Sequence, residues 1–186
     1  MCGIAGLWAP RIDPAERLGL VARMVERLRH RGPSGTAVWE GDGVALGIAR
    51  LAIVARQAPA SVLANEDDTL RTVVNGEIYN HQALRLGLRG RGHDVASGPD
   101  TAVIPHLYEE DGAGFPTHLD GQFAIALWDR HALRLTLARD RAGENVRHHD
   151  EHAADPEREP SVHRSRADAC RAPDPPDLPT GLMGKA

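Results

Sequence analysis

Residues 1–6 have the sequence MCGIAG, which places a cysteine directly after the initiator methionine. The chain has 2 cysteines in 186 residues, so a thiol at this position is a scarce group. Residues 3–9, GIAGLWA, form a short apolar run that predicts a buried strand. Removal of Met1 would give Cys2 both a thiol and an α-amine, and an α-amine with a pKa of about 7.7–8.0 can act as a base at neutral pH. The alternative is that Cys2 is an incidental small apolar residue.

Composition limits the class of protein. A chain of 186 residues has room for one domain, or for one domain and a tail. The net charge of -4, with interspersed signs, does not favour a nucleic-acid partner. The sequence has neither an apolar run of the roughly 20 residues that cross a bilayer nor a signal peptide, so we expect no membrane association. Two cysteines do not form a disulfide framework, and we therefore expect a reducing, cytoplasmic location.

The composition changes abruptly near residue 143. Every Trp, Tyr and Phe lies before residue 129, whereas 6 of the 13 prolines follow residue 155. A segment without aromatic residues and with few large aliphatic ones cannot bury enough apolar surface to offset the entropy lost on ordering. We therefore predict a folded domain in residues 1–142 and a disordered, proline-rich polar tail in residues 143–186.

Hydrophobic periodicity predicts antiparallel strand pairs separated by helices, an α+β arrangement. The first helix begins after Asp13 as N-cap and Pro14 as first helical residue, with Leu18 on its apolar face. Asn80 and Asp100 are predicted caps of two later helices, the second of which contains Pro105, where an interior proline would be unfavourable. The predicted strands lie in residues 3–9, 36–54 (two strands around a Gly-Asp-Gly turn), 70–80 and 122–140 (a hairpin), and the helices in residues 13–30, 81–90 and 101–112.

Several polar residues suit acyl transfer at Cys2. Such a reaction needs donors for an oxyanion, and Asn75 offers a side-chain amide while Gly76 offers a backbone N–H. The Asn75-Gly76 pair on its own is also typical of a hairpin turn. A substrate with a carboxylate and an amine needs one cation and one anion, for which Arg50 and Asp100 are candidates.

Five motifs occur in register along residues 1–141: MCGIAG, LRHRGPSG, RLAIV, NGEIYNH, and LDGQFAIALWD followed by ARDR. Together they resemble the N-terminal glutaminase domain of glutamine-hydrolysing asparagine synthetases. These domains are class II amidotransferases with the N-terminal nucleophile hydrolase fold. The resemblance implies a four-layer αββα sandwich, in which Cys2 attacks the side-chain amide of L-glutamine without a metal or an organic cofactor.

The resemblance also implies a role for each matching residue. Asn75 and Gly76 would form the oxyanion hole, and Arg50 would hold the α-carboxylate of glutamine. Glu77 and Asp100 would lie near the α-amino group. The glutamine pocket would further be lined by Leu51, Ala52, Ile53 and Val54, and the covering loop would contain Arg31 and Gly32.

Other interpretations of single residues remain open. Arg50 could be a surface arginine, Asp100 a helix cap and Glu77 a solvated strand residue. His30 is better interpreted as structural than as an acid–base group. His148, His149 and His152 suggest a metal site, but in so polar a tail we expect them to be solvated. Cys170 has no partner pattern.

The sequence also departs from the family. Ser34 replaces the usual aspartate of RGPDG, Ile48 and Ala49 replace histidine and arginine, and Ala55 replaces aspartate. From Ala142 the family's continuation RFGIKPLYY is replaced by unrelated sequence, as a frameshift or premature ending would produce. We therefore expect the strands that close the sandwich to be missing, which would leave an open sheet edge.

The function predicted from the sequence is hydrolysis of L-glutamine to glutamate and ammonia through a thioester on Cys2. The ammonia would pass to a synthetase domain or chain, because these 186 residues contain no SGGxDS pyrophosphate loop with which to activate aspartate. One alternative is the glutaminase domain of another class II amidotransferase, such as glucosamine-phosphate synthase or the purine-pathway enzyme. The other is a catalytically dead remnant or binding module of an asparagine synthetase.

Overall fold

The computed structural model describes residues 2–52, 59–95, 97–141 and 162–166, and for the last segment it describes the backbone alone. Two 3-10 helices, Asp100–Ala102 and Gly112–His118, flank the third α-helix. The other elements are β1 (Gly3–Trp8), α1 (Pro14–Arg27), β2 (Gly35–Gly41), β3 (Val44–Arg50), β4 (Leu63–Ala64), β5 (Leu70–Ile78), α2 (His81–Gly90), α3 (Val103–Asp111), β6 (Gly121–Asp129), β7 (Arg134–Arg139) and β8 (Val162–Arg166).

The strands form two antiparallel sheets. One has the order β1-β3-β2 and the other the order β4-β5-β6-β7-β8. Alternation along β3 points Val44, Leu46 and Ile48 towards the five-stranded sheet, where they pack in one cluster with Val73 and Trp128. The space between the sheets is therefore an apolar core.

Each sheet carries helices on its other face. Ala45 and Ala49 of β3 pack against Val21 and Val25 of α1. The outer face of the five-stranded sheet packs against α2 and α3 in a cluster that includes Val74, Leu88, Ile104, Leu107 and Phe123. The order of layers is thus α1, three-stranded sheet, five-stranded sheet, then α2 with α3, which confirms the expected α+β αββα sandwich.

The first helix begins as predicted but buries a different residue. The Asp13 carboxylate accepts from Ala15 N at 2.9 Å, and Pro14 is the first helical residue. Leu18 is 40% exposed, whereas Arg17 is 2% exposed. Burial of Arg17 is tolerated because its guanidinium donates to Ala9 O at 2.6 Å and to Glu40 Oε1 at 2.6 Å. None of the described helices is both long enough and apolar enough to cross a membrane.

The prediction that the Asn80 side chain caps α2 was wrong. Asn80 stands before α2 but its side chain makes no capping hydrogen bond. Instead its amide donates to His118 O at 2.8 Å and accepts from Asp120 N at 3.1 Å. Asn80 thus fixes the chain at the start of β6. Pro105 causes no conflict, because α3 begins at Val103 and a proline in the first turn removes no helical hydrogen bond.

The predicted turn at Gly-Asp-Gly is present, whereas the Asn-Gly dipeptide, which on its own favours a turn, does not form one. The Gly-Asp-Gly segment turns with positive φ at Asp42 and Gly43. In contrast, Asn75 and Gly76 lie in the middle of β5, in register with Ala124 and Phe123 of β6. Tertiary pairing therefore overrides the turn preference of Asn-Gly.

The turns of the two sheets are tied to each other by one ion pair. Arg130, which follows β6, donates from Nε to Asp42 Oδ2 at 2.6 Å. This hydrogen bond lowers the pKa of the Asp42 carboxyl from its ordinary value. The contact joins the β2–β3 turn of one sheet to the β6–β7 turn of the other.

The five residues Val162–Arg166 differ from the expectation of a disordered tail. They form β8, which pairs antiparallel with β7 over the register Arg134↔Arg166 to Ala138↔Val162. Without β8 the edge of β7 would present unpaired N–H and C=O groups, so a strand added there gains hydrogen bonds. The expected open edge is thus occupied by a piece of the tail itself. The boundary at residue 142 and the rest of the predicted tail lie outside the described residues and stay a prediction.

Candidate active site

The thiol of Cys2 lies against the peptide of Leu51. Leu51 N donates to Cys2 Sγ at 3.3 Å, and the thiol donates to Leu51 O at 3.8 Å. Cys2 directly precedes β1, and Leu51 directly follows β3. Because β1 and β3 pair in the register Gly3↔Ala49, the sheet itself brings Cys2 to this loop. The structure thus places the predicted nucleophile beside the predicted glutamine loop.

The segment 29–34 packs onto the same strand end. Gly32 is buried, and a Cβ atom there would overlap the carbonyl oxygen of Ala49. Ser34 N donates to Arg50 O at 2.9 Å, and Ser34 Oγ accepts from Ala52 N at 3.0 Å. Ser34 therefore holds the backbone on both sides of Leu51, and so fixes the peptide that contacts Cys2.

Arg31 lies within this segment, and Arg50 lies at the strand end that it contacts. Arg31 is half-buried in the turn after α1, where its N–H donates to Leu28 O at 2.9 Å. Arg50 is the half-buried last residue of β3 and pairs with Gly35. Two further residues of the predicted pocket, Ile53 and Val54, lie outside the described residues.

The predicted oxyanion pair lies in the neighbouring sheet. Asn75 is 5% exposed and, by alternation along β5, shares a face with Val73. Val73 belongs to the cluster between the sheets against which Cys2 packs. A Cβ atom at Gly76 would overlap the carbonyl oxygen of Gln122, so only glycine fits between β5 and β6 there. Since β5 also contacts β1 and β3, Asn75 belongs to the same interface between the sheets as Cys2.

The two predicted acidic residues both lie near the end of β5. Glu77 is exposed, in register with Gln122. Asp100 is 8% exposed, and its Oδ2 accepts from Ile78 N at 2.6 Å. The Asp100 carboxylate makes no capping bond to its own helix, so its predicted role as a helix cap was wrong in geometry. Asp100 is instead bound to the backbone next to Glu77.

Two contributors escaped the sequence reasoning. In the sequence Ser34 appears only as a departure from aspartate, whereas in the structure its hydroxyl oxygen accepts a hydrogen bond from Ala52 N. Asp140 is 5% exposed, and its Oδ2 accepts from Phe123 N at 3.0 Å, opposite Gly76 in the sheet register. The sequence feature that could have identified this contact is the aspartate of the ARDR motif, which is Asp140.

The arrangement provides the parts of a thiol-based acyl transfer. A thiol stands at the start of the first strand beside a fixed peptide. A buried carboxamide lies in the adjoining sheet. The cation of Arg50 ends β3, and the carboxylate of Asp100 is bound to the backbone at the end of β5. These are the groups required to attack a carbonyl, stabilise an oxyanion and hold a zwitterionic substrate.

Comparison with known proteins finds relatives whose descriptions name glutamine as the substrate. A family model described as a glutamine amidotransferase domain matches residues 1–155. An asparagine synthetase [glutamine-hydrolyzing] from Brassica oleracea is 39% identical over 143 residues, which cover 77% of this chain and 24% of that protein. Asparagine synthetase B from Escherichia coli (strain K12) is 38% identical over 143 residues, with coverages of 77% and 26%. The chain thus spans about a quarter of the length of the curated relatives it matches.

A solved structure shares the fold. Glutamine phosphoribosylpyrophosphate amidotransferase from B. subtilis superposes with a TM-score of 0.57 at 19% identity, over 75% of this chain and 37% of that one. At this identity the likeness concerns the fold alone. The family match extends over most of the 186 residues, and the chain therefore belongs to the glutamine amidotransferase domain family.

Proposed function

We propose that this chain hydrolyses L-glutamine to glutamate and ammonia, as the ammonia-supplying half of an asparagine-synthetase-like enzyme. The observation that carries the proposal is the contact of Cys2 Sγ with the Leu51 peptide, 3.3 Å from the N–H, in a chain of this family. The ammonia would be used by a synthetase domain or a separate chain. A free thiol at Cys2 needs a reducing compartment, and we therefore place the protein in the cytoplasm.

The mechanism begins once Met1 has been removed. The α-amine of Cys2 takes the thiol proton, and the sulfur attacks the side-chain carbonyl carbon of glutamine. Asn75 Nδ2 and Gly76 N donate to the oxyanion that forms. As the C–N bond breaks, the proton passes from the α-amine to the leaving nitrogen, which departs as ammonia. Water then hydrolyses the γ-glutamyl thioester, which yields glutamate and restores the thiol.

Substrate binding uses charges at the two ends of glutamine. In this proposal Arg50 pairs with the α-carboxylate, and Glu77 with Asp100 faces the α-ammonium group. The backbone of residues 50–54 lines the pocket, while Arg31 and Gly32 belong to the segment that covers it. The bond from Ile78 N to Asp100 supports this assignment, since it fixes the carboxylate at the end of β5 that bears Glu77.

The proposal is tested on the full chain. Mass spectrometry should show that Met1 has been removed, and the purified protein should release glutamate and ammonia in equal amounts from L-glutamine. D-glutamine should not be hydrolysed. A cooperatively melting protein that releases no glutamate would contradict the proposal and favour a binding module. Full activity with Met1 retained would contradict the role of the α-amine.

Ser34 offers a test of how the pocket is held. Ser34→Ala removes the acceptor of the Ala52 N–H, and a hydrogen bond of this kind contributes about 1 kcal/mol. We expect kcat/KM for glutamine to fall about five- to tenfold, with little change in melting temperature because Ser34 is exposed. Ser34→Asp, which restores an oxygen acceptor, should recover most of the activity. Equal losses in both variants would show that the hydroxyl does not act as this acceptor.

A further inference from the structure

Two histidines and two glutamates converge at a site that has no part in the proposed glutamine reaction. We call these residues the His–Glu cluster: Glu66, His93, His106 and Glu109. They come from the β4–β5 connection, the α2–α3 connection and α3. One ligand atom from each of the four lies within 4.8 Å of every other. His106 and Glu109, three residues apart, share one face of α3.

The buried member of the cluster lacks a hydrogen bond. His106 is 3% exposed, and its Nδ1 makes no hydrogen bond within the part of the chain that the structure describes. Glu66 Oε2 is nonetheless 3.1 Å from this nitrogen. The two atoms are thus close without pointing at each other as donor and acceptor. A buried imidazole nitrogen without a hydrogen bond, facing two carboxylates, is a polar atom that a bound cation would satisfy.

The histidine–glutamate contacts in the cluster have about the spacing that a small tetrahedral ion requires, within a group whose ligand atoms all lie within 4.8 Å of one another. Bonds of about 2.0–2.2 Å to nitrogen and oxygen give a tetrahedron with edges of about 3.3–3.6 Å. His106 Nδ1 lies 3.4 Å from Glu109 Oε2. His93 Nδ1 lies 3.4 Å from the same Glu109 oxygen and 3.4 Å from Glu66 Oε1. These three contacts fall within that range, and the contact of His106 Nδ1 with the other Glu66 oxygen, Oε2, is slightly shorter at 3.1 Å.

The surroundings orient three of the ligands. His93 Nε2 lies 2.8 Å from Glu110 Oε1, so the ring can donate outward to a carboxylate while Nδ1 faces the cluster. Asn65 Nδ2 donates to Glu109 Oε1 at 2.9 Å, which leaves Oε2 towards the histidines. Asp94 N donates to Glu66 Oε1 at 2.7 Å. Such outer partners fix the tautomer and direction of metal ligands.

We propose that the His–Glu cluster binds one Zn²⁺ ion, which holds the β4–β5 and α2–α3 connections to α3. Two imidazoles and two carboxylates suit a borderline divalent ion such as zinc better than Mg²⁺ or Ca²⁺, which prefer oxygen ligands throughout. The side chains of Glu66 and Glu109 are 35% and 28% exposed, which leaves a path for the ion from solvent. The expectation that no metal is needed concerned the reaction at Cys2, and this ion is structural.

The test uses the full chain, stripped of metal by dialysis against EDTA. Titration calorimetry should show about one Zn²⁺ bound per chain, and Co²⁺ should give the visible absorption of four-coordinate cobalt, which zinc then displaces. Zinc at a hundredfold excess over Kd should raise the melting temperature by about 6–10 °C. A folded wild-type chain that binds neither ion would overturn the proposal.

Variants locate the ion. Glu109→Gln keeps the side-chain volume and the oxygen that Asn65 binds, and should weaken zinc binding at least tenfold. His93→Asn provides a second, partly exposed position should the first variant fold poorly. The matched control is His118→Ala, because His118 Nε2 also lies 2.9 Å from a carboxylate, that of Asp111, but outside the cluster. Its zinc affinity should equal that of the wild type.

The histidines of the C-terminal segment supply the competing explanation. His148, His149 and His152 lie outside the described residues. Replacing all three with alanine should leave zinc binding unchanged. Loss of binding in that triple variant, or unchanged binding in both Glu109→Gln and His93→Asn, would place the ion elsewhere and refute the proposal. Because none of these readouts depends on glutamine, the result is independent of the glutaminase proposal.

Discussion

Replacing Cys2 with alanine should lower glutamate release from L-glutamine by at least about 10⁴-fold, since removal of a covalent nucleophile ends the pathway that depends on it. Cys2→Ser should also lose most of the activity, because at neutral pH a hydroxyl is a weaker nucleophile than a thiol that can ionise. Rates are measured by coupled glutamate detection under saturating glutamine.

Two controls separate loss of chemistry from loss of structure. Cys2 packs at the margin of the core between the sheets, so its truncation should lower the melting temperature by only a few degrees. Cys170→Ala removes the second cysteine and should retain wild-type activity. Undiminished activity of Cys2→Ala would refute the assignment of the nucleophile.

The second large effect is a split between kcat and KM. Asn75→Ala removes a proposed oxyanion donor, which acts on the transition state, and should lower kcat by about 10²–10³-fold with little change in KM. Arg50→Ala removes a charge-assisted contact of roughly 1.5–3 kcal/mol to the bound substrate. Its KM for glutamine should rise about ten- to a hundredfold while kcat stays within a few-fold.

Arg50→Lys serves as the matched control, since it keeps the charge but loses the planar fork of the guanidinium. Its KM should lie between those of the wild type and Arg50→Ala. Full saturation curves for the variants give kcat and KM separately. If Asn75→Ala raised KM alone and Arg50→Ala lowered kcat alone, the two roles would have to be exchanged.

The elements that sequence reasoning located well have strong local signals. Asp13 with Pro14 sets the start of α1, and the Gly-Asp-Gly turn sets the first hairpin, because both depend on neighbouring residues alone. The proximity of Cys2 to the loop after β3 was expected only from the family resemblance, which implies that residues 50–54 line the pocket of the nucleophile. No local pattern joins residues 2 and 51.

The misses share a cause, since each depends on a partner distant in the chain. Arg17 is buried because Ala9 O and Glu40 Oε1 accept hydrogen bonds from its guanidinium, while periodicity alone favours Leu18. The His–Glu cluster combines three separate segments, and only His106 and Glu109 have a spacing that the sequence displays.

Contact between backbones at two glycines sets a limit on how this domain can diverge. At Gly32 and at Gly76 the space for even one methyl group is taken by a carbonyl oxygen of the adjacent strand, which belongs to a sheet and cannot move aside. Side chains of the pocket can be substituted, as Ser34 illustrates. At Gly32 and Gly76, in contrast, any substitution would force the two backbones apart. Gene copies freed from selection for catalysis would therefore change at Cys2 or Arg50 before they change at Gly32 and Gly76.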